Sequence, residues 1–281
     1  MIENFSKWLA ELNAEQGRPA VMGILNVTPD SFSDGGRLTT KDQFCNHLEQ
    51  MLLDGVDILD IGGESTRPGA ESVPLDKELD RVLPAIEWVR QITDKPISID
   101  TYKTEVMRHA IKAGADMVND VNALQDEGAI ELVAGLGVPV CLMHKKGIPK
   151  TMQDSVDYQD VTQEVIEFLL ERVEVCNKAG IKSEQIVLDP GFGFGKNLQH
   201  NKKLFKDIPL IQEHGFPLLV GVSRKRMIAE MLGLSVDSPA DARVNGSVAA
   251  AVCAAVKGAE IVRVHDVKPT VEALMVAHDL L

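Results

Sequence analysis

Asp189 closes the apolar run Ile186-Val187-Leu188 and is followed at once by Pro190-Gly191-Phe192-Gly193-Phe194-Gly195-Lys196. A β-branched run of this kind is buried on both faces of a parallel sheet. A carboxylate at its end stands where alternating β/α chains place their ligands. Two further acceptors end strand-like runs in the same way, Asp100 after Ile97-Ser98-Ile99 and Asn119 after Met117-Val118. Any one of them alone is equally well explained as a loop cap or a partner for backbone donors. Converging as a set, they would grip the edge of a flat heterocycle presenting amidine-like N–H groups, as a carboxylate grips guanidinium.

Cations end two later runs, at Ser223-Arg224-Lys225 and at Arg263-Val264-His265. Period-two alternation puts Arg263 and His265 on one side of their strand, so both are expected to face one anion. The loops after the last two strands of a barrel are the usual phosphate site. The stretch Gly62-Gly63-Glu64-Ser65-Thr66-Arg67-Pro68-Gly69 combines glycines, hydroxyls and an arginine, a composition suited to wrapping a phosphate. Met143 and Phe192 read as pocket wall. Glu64, Asp34, His144 and Asp266 are ionisable rim groups without an assigned role. The glycines before Lys196 do not make a nucleotide loop: a P-loop lysine is followed by Ser or Thr, Asn197 stands there, and the G-x-G-x-x-G spacing is absent too.

Eight strands are needed to position these residues, and eight apolar runs end on polar residues, at Asn26, Glu64, Asp100, Asp120, His144, Asp189, Ser223 and Asp266. Helical spacing falls between them, over residues 41–53, 75–92, 104–112, 127–135, 158–179, 201–212, from 225 onward, and over 240–257 and 269–280. Residues 2–13 make a further short amphipathic helix, expected to close the bottom of the barrel. Residues 27–36 are turn-rich and read as a long loop on the active face. The small side chains of residues 240–257 are expected to pack closely on the barrel rather than on a second subunit. The pattern predicts an α/β fold, a (β/α)8 barrel in a single domain spanning residues 1–281, with residues 1–18 as a helical extension.

Composition agrees with that architecture. The chain has 281 residues, 44% of them hydrophobic and only 4% aromatic, which suits layers of aliphatic side chains; one such barrel takes about 250 residues. A net charge of −13, from 29 basic and 42 acidic residues, argues against nucleic acid or an anionic membrane as partner. Four scattered cysteines show neither zinc nor redox spacing and suit a reducing compartment. Without a long apolar run or a signal-like start, a cytoplasmic location is expected.

Taken in order, these motifs resemble the dihydropteroate synthases, pterin-binding TIM-barrel enzymes of folate biosynthesis. The likeness is carried by Met22-Gly23-Ile24-Leu25-Asn26-Val27-Thr28-Pro29-Asp30-Ser31-Phe32, by the Gly62 to Gly69 stretch, by Asp189 to Lys196, and by Ser223-Arg224-Lys225. The resemblance implies a homodimer that joins 6-hydroxymethyl-7,8-dihydropterin diphosphate to p-aminobenzoate, with sulfonamides as inhibitors. By motif match, Asp100, Asn119, Asp189 and Lys225 would hold the pterin, with Met143, Phe192 and Gly221 around it. Asn26, Thr66, Arg67, Arg263 and His265 would handle the diphosphate, with Mg2+ near Asn26, while Phe32 and Pro68 would contact the second substrate. Arg67, Lys225 and Asp100 are the implied catalytic residues. Tyr102 and Arg226 depart from the family pattern, where a smaller residue and a serine are common.

Two other readings share part of this pattern. A methyltetrahydrofolate-dependent methyltransferase would be expected to keep the Asp-Asn-Asp grip but has no reason to keep Ser65-Thr66-Arg67-Pro68-Gly69 or Ser223-Arg224-Lys225. A non-catalytic pterin-binding homologue would be expected to have lost Asn26, Arg67, Lys225 or His265, and all four are present.

Overall fold

The computed structural model describes residues 2, 4–27, 41–65, 72–147 and 156–281. Eight strands lie in chain order: β1 (Ala20–Asn26), β2 (Ile58–Gly62), β3 (Ile97–Asp100), β4 (Met117–Asp120), β5 (Val140–Met143), β6 (Ile186–Asp189), β7 (Leu219–Val220) and β8 (Ile261–Val264). All pair in parallel, in the order β6-β5-β4-β3-β2-β1-β8-β7, and a bridge between Leu188 and Leu218 joins the two edges. Barrel closure leaves no long unpaired edge.

The helices are α1 (Phe5–Gln16), α2 (Lys41–Leu53), α3 (Leu75–Ile92), α4 (Thr104–Ala113), α5 (Ala129–Leu136), α6 (Val161–Lys178), α7 (Leu198–Lys206), α8 (Ile208–Gln212), α9 (Arg226–Met231), α10 (Val244–Val256) and α11 (Val267–Leu280). Most match the expected segments to within three residues. α6 starts later than Tyr158 because Asp160 caps it, accepting from the N–H groups of Thr162 and Gln163, while Glu164 reaches back to those of Gln159 and Asp160. The helix expected over 201–212 is two, because Pro209, placed in the first turn of α8, has no N–H to continue the α7 ladder. Residues Ala240–Arg243 form a 3-10 turn ahead of α10.

Two apolar regions result. The larger lies between the strands and the helical shell. The smaller fills the lower barrel, where Phe5 and Leu9 of α1 meet inward-facing Met22, Ile58, Met117, Cys141 and Val187. The N-terminal helix closes the bottom as its pattern indicates. Only Ser247, Ala251 and Ala254 of α10 are buried, and Val256 remains 62% exposed. The small-sided helix therefore packs on the barrel along one narrow stripe. Among the described residues no helix is long and apolar enough to cross a membrane.

Candidate functional site

Above the apolar floor, the inward-facing side chains turn polar. Asp100 and Asn119 are register partners on β3 and β4, and Asp189 ends β6 beside Met143 of β5. Arg263, from β8, reaches across the barrel. Its Nε donates to Asp60 Oδ2 and its Nη2 to Asp100 Oδ2, each at 2.6 Å. Asn119 Nδ2 approaches both oxygens of Asp60, at 3.4 and 3.3 Å. The structure thus brings together the acceptors expected from the sequence, and Asp100 Oδ1 is buried with no hydrogen-bond partner. A buried lone acceptor of this kind is the mark of a group awaiting a donor.

The electrostatics follow from burial. Desolvation raises the Asp100 pKa to about 7, with Arg263 opposing and Asp60 adding repulsion. Burial likewise pushes Asp189 upward, against the pull of Lys225 and of the Gly191 N–H that donates to its Oδ1 at 2.7 Å. Lys225 falls to about 8, because burial outweighs the attraction of Asp189. Burial pulls the Arg263 pKa down, yet Asp60 and Asp100 hold it above its ordinary value.

Lys225 is held on the next loop, its Nζ donating to Phe192 O at 2.6 Å and lying 4.7 Å from the centre of the Phe194 ring. That geometry depends on Gly191, at φ +68°, where an added Cβ would land on the carbonyl oxygen of His144. Lys196 locks the same loop from inside. Its Nζ donates to the carbonyls of Gly191 and Phe194 and meets His144 Nδ1 at 2.9 Å. Desolvation, then Lys196 itself, lowers the His144 pKa to about 2, so the imidazole is a neutral acceptor.

The anion sector differs from the sequence expectation. His265 remains at the rim, its Nδ1 3.1 Å from Ser223 Oγ, whereas Arg263 turns down toward the carboxylates. The two line one cavity but do not make a side-by-side pair. Arg224 is not an open cation either: it donates to Asp266 at 2.9 and 2.6 Å and lies 3.1 Å from Asp241. Its φ of +57° is a strained, left-handed value for a residue with a Cβ, and this pins the turn that presents Ser223 and Lys225.

A cavity of about 730 Å³ opens over this layer, lined by Asn26, Glu64, Asp100, Lys225, Arg263 and His265 among others. Gly221 lies beside two of these residues, since an added Cβ would sit 3.7 Å from Arg263 Cβ and 3.9 Å from Lys225 Nζ. Met143 is buried beneath Gly191. Phe192 corrects the reading as pocket wall: it is fully buried, its ring 5.6 Å from that of Phe205 in the outer core, and only its carbonyl serves the site. Phe194 faces the cavity instead. Tyr102 donates to Glu64 at 3.2 Å, and Arg226 pairs with Glu230 at 2.8 Å. Phe32, Thr66, Arg67 and Pro68 lie outside the described residues. Sequence reasoning missed Asp60, whose signal was a carboxylate set inside the apolar run Ile58-Leu59-Asp60-Ile61.

The family model described as pterin binding enzyme matches residues 22–265. The dihydropteroate synthase of Escherichia coli (strain K12) is 49% identical over 263 residues, which cover 94% of this chain and 92% of that protein. Among solved structures, the Xanthomonas albilineans dihydropteroate synthase with 4-aminobenzoic acid superposes with a TM-score of 0.88 at 50% identity, covering 94% of each chain. The Yersinia pestis dihydropteroate synthase in a sulfonamide drug complex also gives 0.88, at 49% identity, covering 94% of this chain and 95% of that one. By motif, fold and these likenesses, the chain belongs to the pterin binding enzyme family, among the dihydropteroate synthases.

Proposed function

We propose that this transferase joins 6-hydroxymethyl-7,8-dihydropterin diphosphate to p-aminobenzoate, releasing pyrophosphate and forming 7,8-dihydropteroate. The observation that carries the reading is the buried acceptor set of Asp100, Asn119 and Asp189 with Lys225 beside it, matched to the edge of a pterin. The unpartnered Asp100 Oδ1 is the acceptor for one ring donor. Lys225 hydrogen-bonds the ring's acceptor side, and Met143 and Gly221 bound the pocket.

Chemistry then needs little proton traffic from the protein. The bond between the pterin methylene and the diphosphate oxygen breaks, and the developing cation is delocalised into the electron-rich ring. The amine nitrogen bonds to the methylene and gives its proton to solvent. His265, Arg263 and, from the loop after β2, Thr66 and Arg67 would face the departing anion. Phe32 and Pro68 would cover the p-aminobenzoate, excluding water that would otherwise capture the cation. Sulfonamides, with which the Yersinia pestis relative forms a complex, would occupy the same amine subsite through their likeness to p-aminobenzoate.

Asn26 fits the Mg2+ that the family resemblance implies. Its Oδ1 lies 2.9 Å from where a Gly62 Cβ would stand, over the open end of the barrel. Mg2+ takes oxygen ligands and keeps waters alongside substrate phosphates, and the Asn26 amide would supply one such oxygen. Among the described residues no group of three or more His, Cys, Asp or Glu offers an alternative cage. When bound, the ion would neutralise charge on the leaving diphosphate.

The reading includes a homodimer, supported by the exposed apolar Met231, Leu232, Val256, Met275 and Val276 on α9, α10 and α11 and the segment after α9. A cytoplasmic location is supported by four free cysteines. The direct test is pyrophosphate release that requires both substrates. Release from the pterin diphosphate alone at the same rate would make the chain a hydrolase instead.

A further inference from the structure

Asp60 stands inside β2, two residues before its end, and none of its surface is exposed. Its Oδ2 accepts from Arg263 Nε at 2.6 Å, and its two oxygens lie 3.4 and 3.3 Å from the Asn119 amide nitrogen. With Oδ2 already accepting from Arg263, both Asp60 oxygens face the Asn119 –NH2, which turns toward them as donor. The opposite end, Oδ1, is then left for a donor on a ligand. Anchoring Nε likewise fixes the plane of Arg263, from which Nη2 reaches Asp100 at 2.6 Å. Two of the site's side chains, Asn119 and Arg263, are therefore oriented by one carboxylate with no exposed surface, and Asp100 is reached through the second, whereas Asn119 and Asp100 keep 4% and 6% of theirs.

We infer that Asp60 is a positioning residue for the reaction: without touching substrate, it sets which end of Asn119 faces the pterin edge and, through the plane of Arg263, how Asp100 is held beside that edge. The inference rests on the pterin reading of the site. A carboxylate present only to balance the charge of Arg263 would affect stability and leave ligand recognition alone. Asp60→Asn separates the two roles. The new amide keeps the size and one acceptor, but its own –NH2 confronts that of Asn119, so Asn119 loses its enforced orientation.

The test is calorimetric titration with 6-hydroxymethylpterin of the wild type, Asp60→Asn, Arg263→Gln and the double variant, together with steady-state kinetics. Asp60→Asn is expected to weaken pterin binding by about tenfold and to raise KM for the pterin diphosphate by a similar factor. KM for p-aminobenzoate should stay within about twofold of the wild type. In the Arg263→Gln background the same change should cost less, about threefold, because only the Asn119 contact is left to lose. The double variant is neutral on both sides and keeps the test usable if Asp60→Asn alone does not fold. Unchanged pterin affinity on removing Asp60 in either background overturns the inference. A wild type that binds no pterin overturns the functional reading as well, whereas wild-type binding with an indifferent Asp60→Asn overturns this inference alone.

Discussion

On four strands the floor and the mouth of the barrel are separated by two residues. Ile58 is followed on the same face by Asp60, Met117 by Asn119, Val187 by Asp189 and Ile261 by Arg263. The lower member of each pair joins the apolar cluster that packs on α1, and the upper member joins the charged layer under the cavity. One pleat repeat is enough to change the purpose of a side chain. The floor contributes stability by burying apolar surface, whereas the mouth holds buried carboxylates and cations whose value lies in what they recognise. Function and stability should therefore separate by layer.

The largest effect is expected at the floor. Phe5→Ala removes a fully buried ring from the plug and should lower unfolding free energy by about 3–5 kcal/mol in denaturant titrations, with pterin affinity per folded molecule unchanged. A loss of affinity there would break the separation.

Asp100→Asn should act in the opposite direction. The Asp100 pKa is raised from 3.8 to about 7, so the folded state keeps a proton that the unfolded chain has lost. Its contribution to stability thus falls as pH rises through the window from about 4 to about 7 and is level above it. The amide has no such slope. Unfolding measured at pH 8 should find the variant more stable by on the order of 3 kcal/mol, the gap closing below pH 4, while pterin binding is lost. Identical pH profiles would show that the mouth carries no such strain.

A smaller effect is expected at the Arg224 clamp. Arg224→Ala deletes its bonds to Asp266 while leaving a Cβ at positive φ, and should cost about 1–2 kcal/mol. KM for the pterin diphosphate should rise severalfold, because Ser223 and Lys225 sit on the same turn. The smallest effect belongs to Arg226→Ala. The side chain of Arg226 is 59% exposed in its pair with Glu230, so the unfolding free energy should change by less than about 0.5 kcal/mol in denaturant titrations.

What the sequence made legible follows the same physics. Asp100, Asn119 and Asp189 were readable because each ends an apolar run, the point where a barrel strand opens to ligand. Asp60 was not, because mid-strand it is indistinguishable from a residue satisfying its neighbours until Arg263, far along the chain, is seen beside it. Phe192 was misread because period-two alternation ends with the strand, and Gly191 at positive φ redirects the chain beyond it. Arg224 looked like an open cation because its partner, Asp266, comes from a different strand-end loop. The eight strands and most helices were clear from periodicity, and the division of residues 198–212 into α7 and α8 was marked only by Pro209.

The comparison is tested most directly on a single strand, by pterin calorimetry and chemical unfolding of Asp189→Asn and Val187→Ala side by side. The two residues share β6 and its inward face and differ only in layer. Asp189→Asn should lose measurable pterin binding with no loss of unfolding free energy, since burial already works against its charge, while Val187→Ala should lose about 1–3 kcal/mol of stability and bind pterin as the wild type does. Wild-type affinity in Asp189→Asn, or weakened affinity in folded Val187→Ala, would contradict the assignment of recognition to the mouth and stability to the floor.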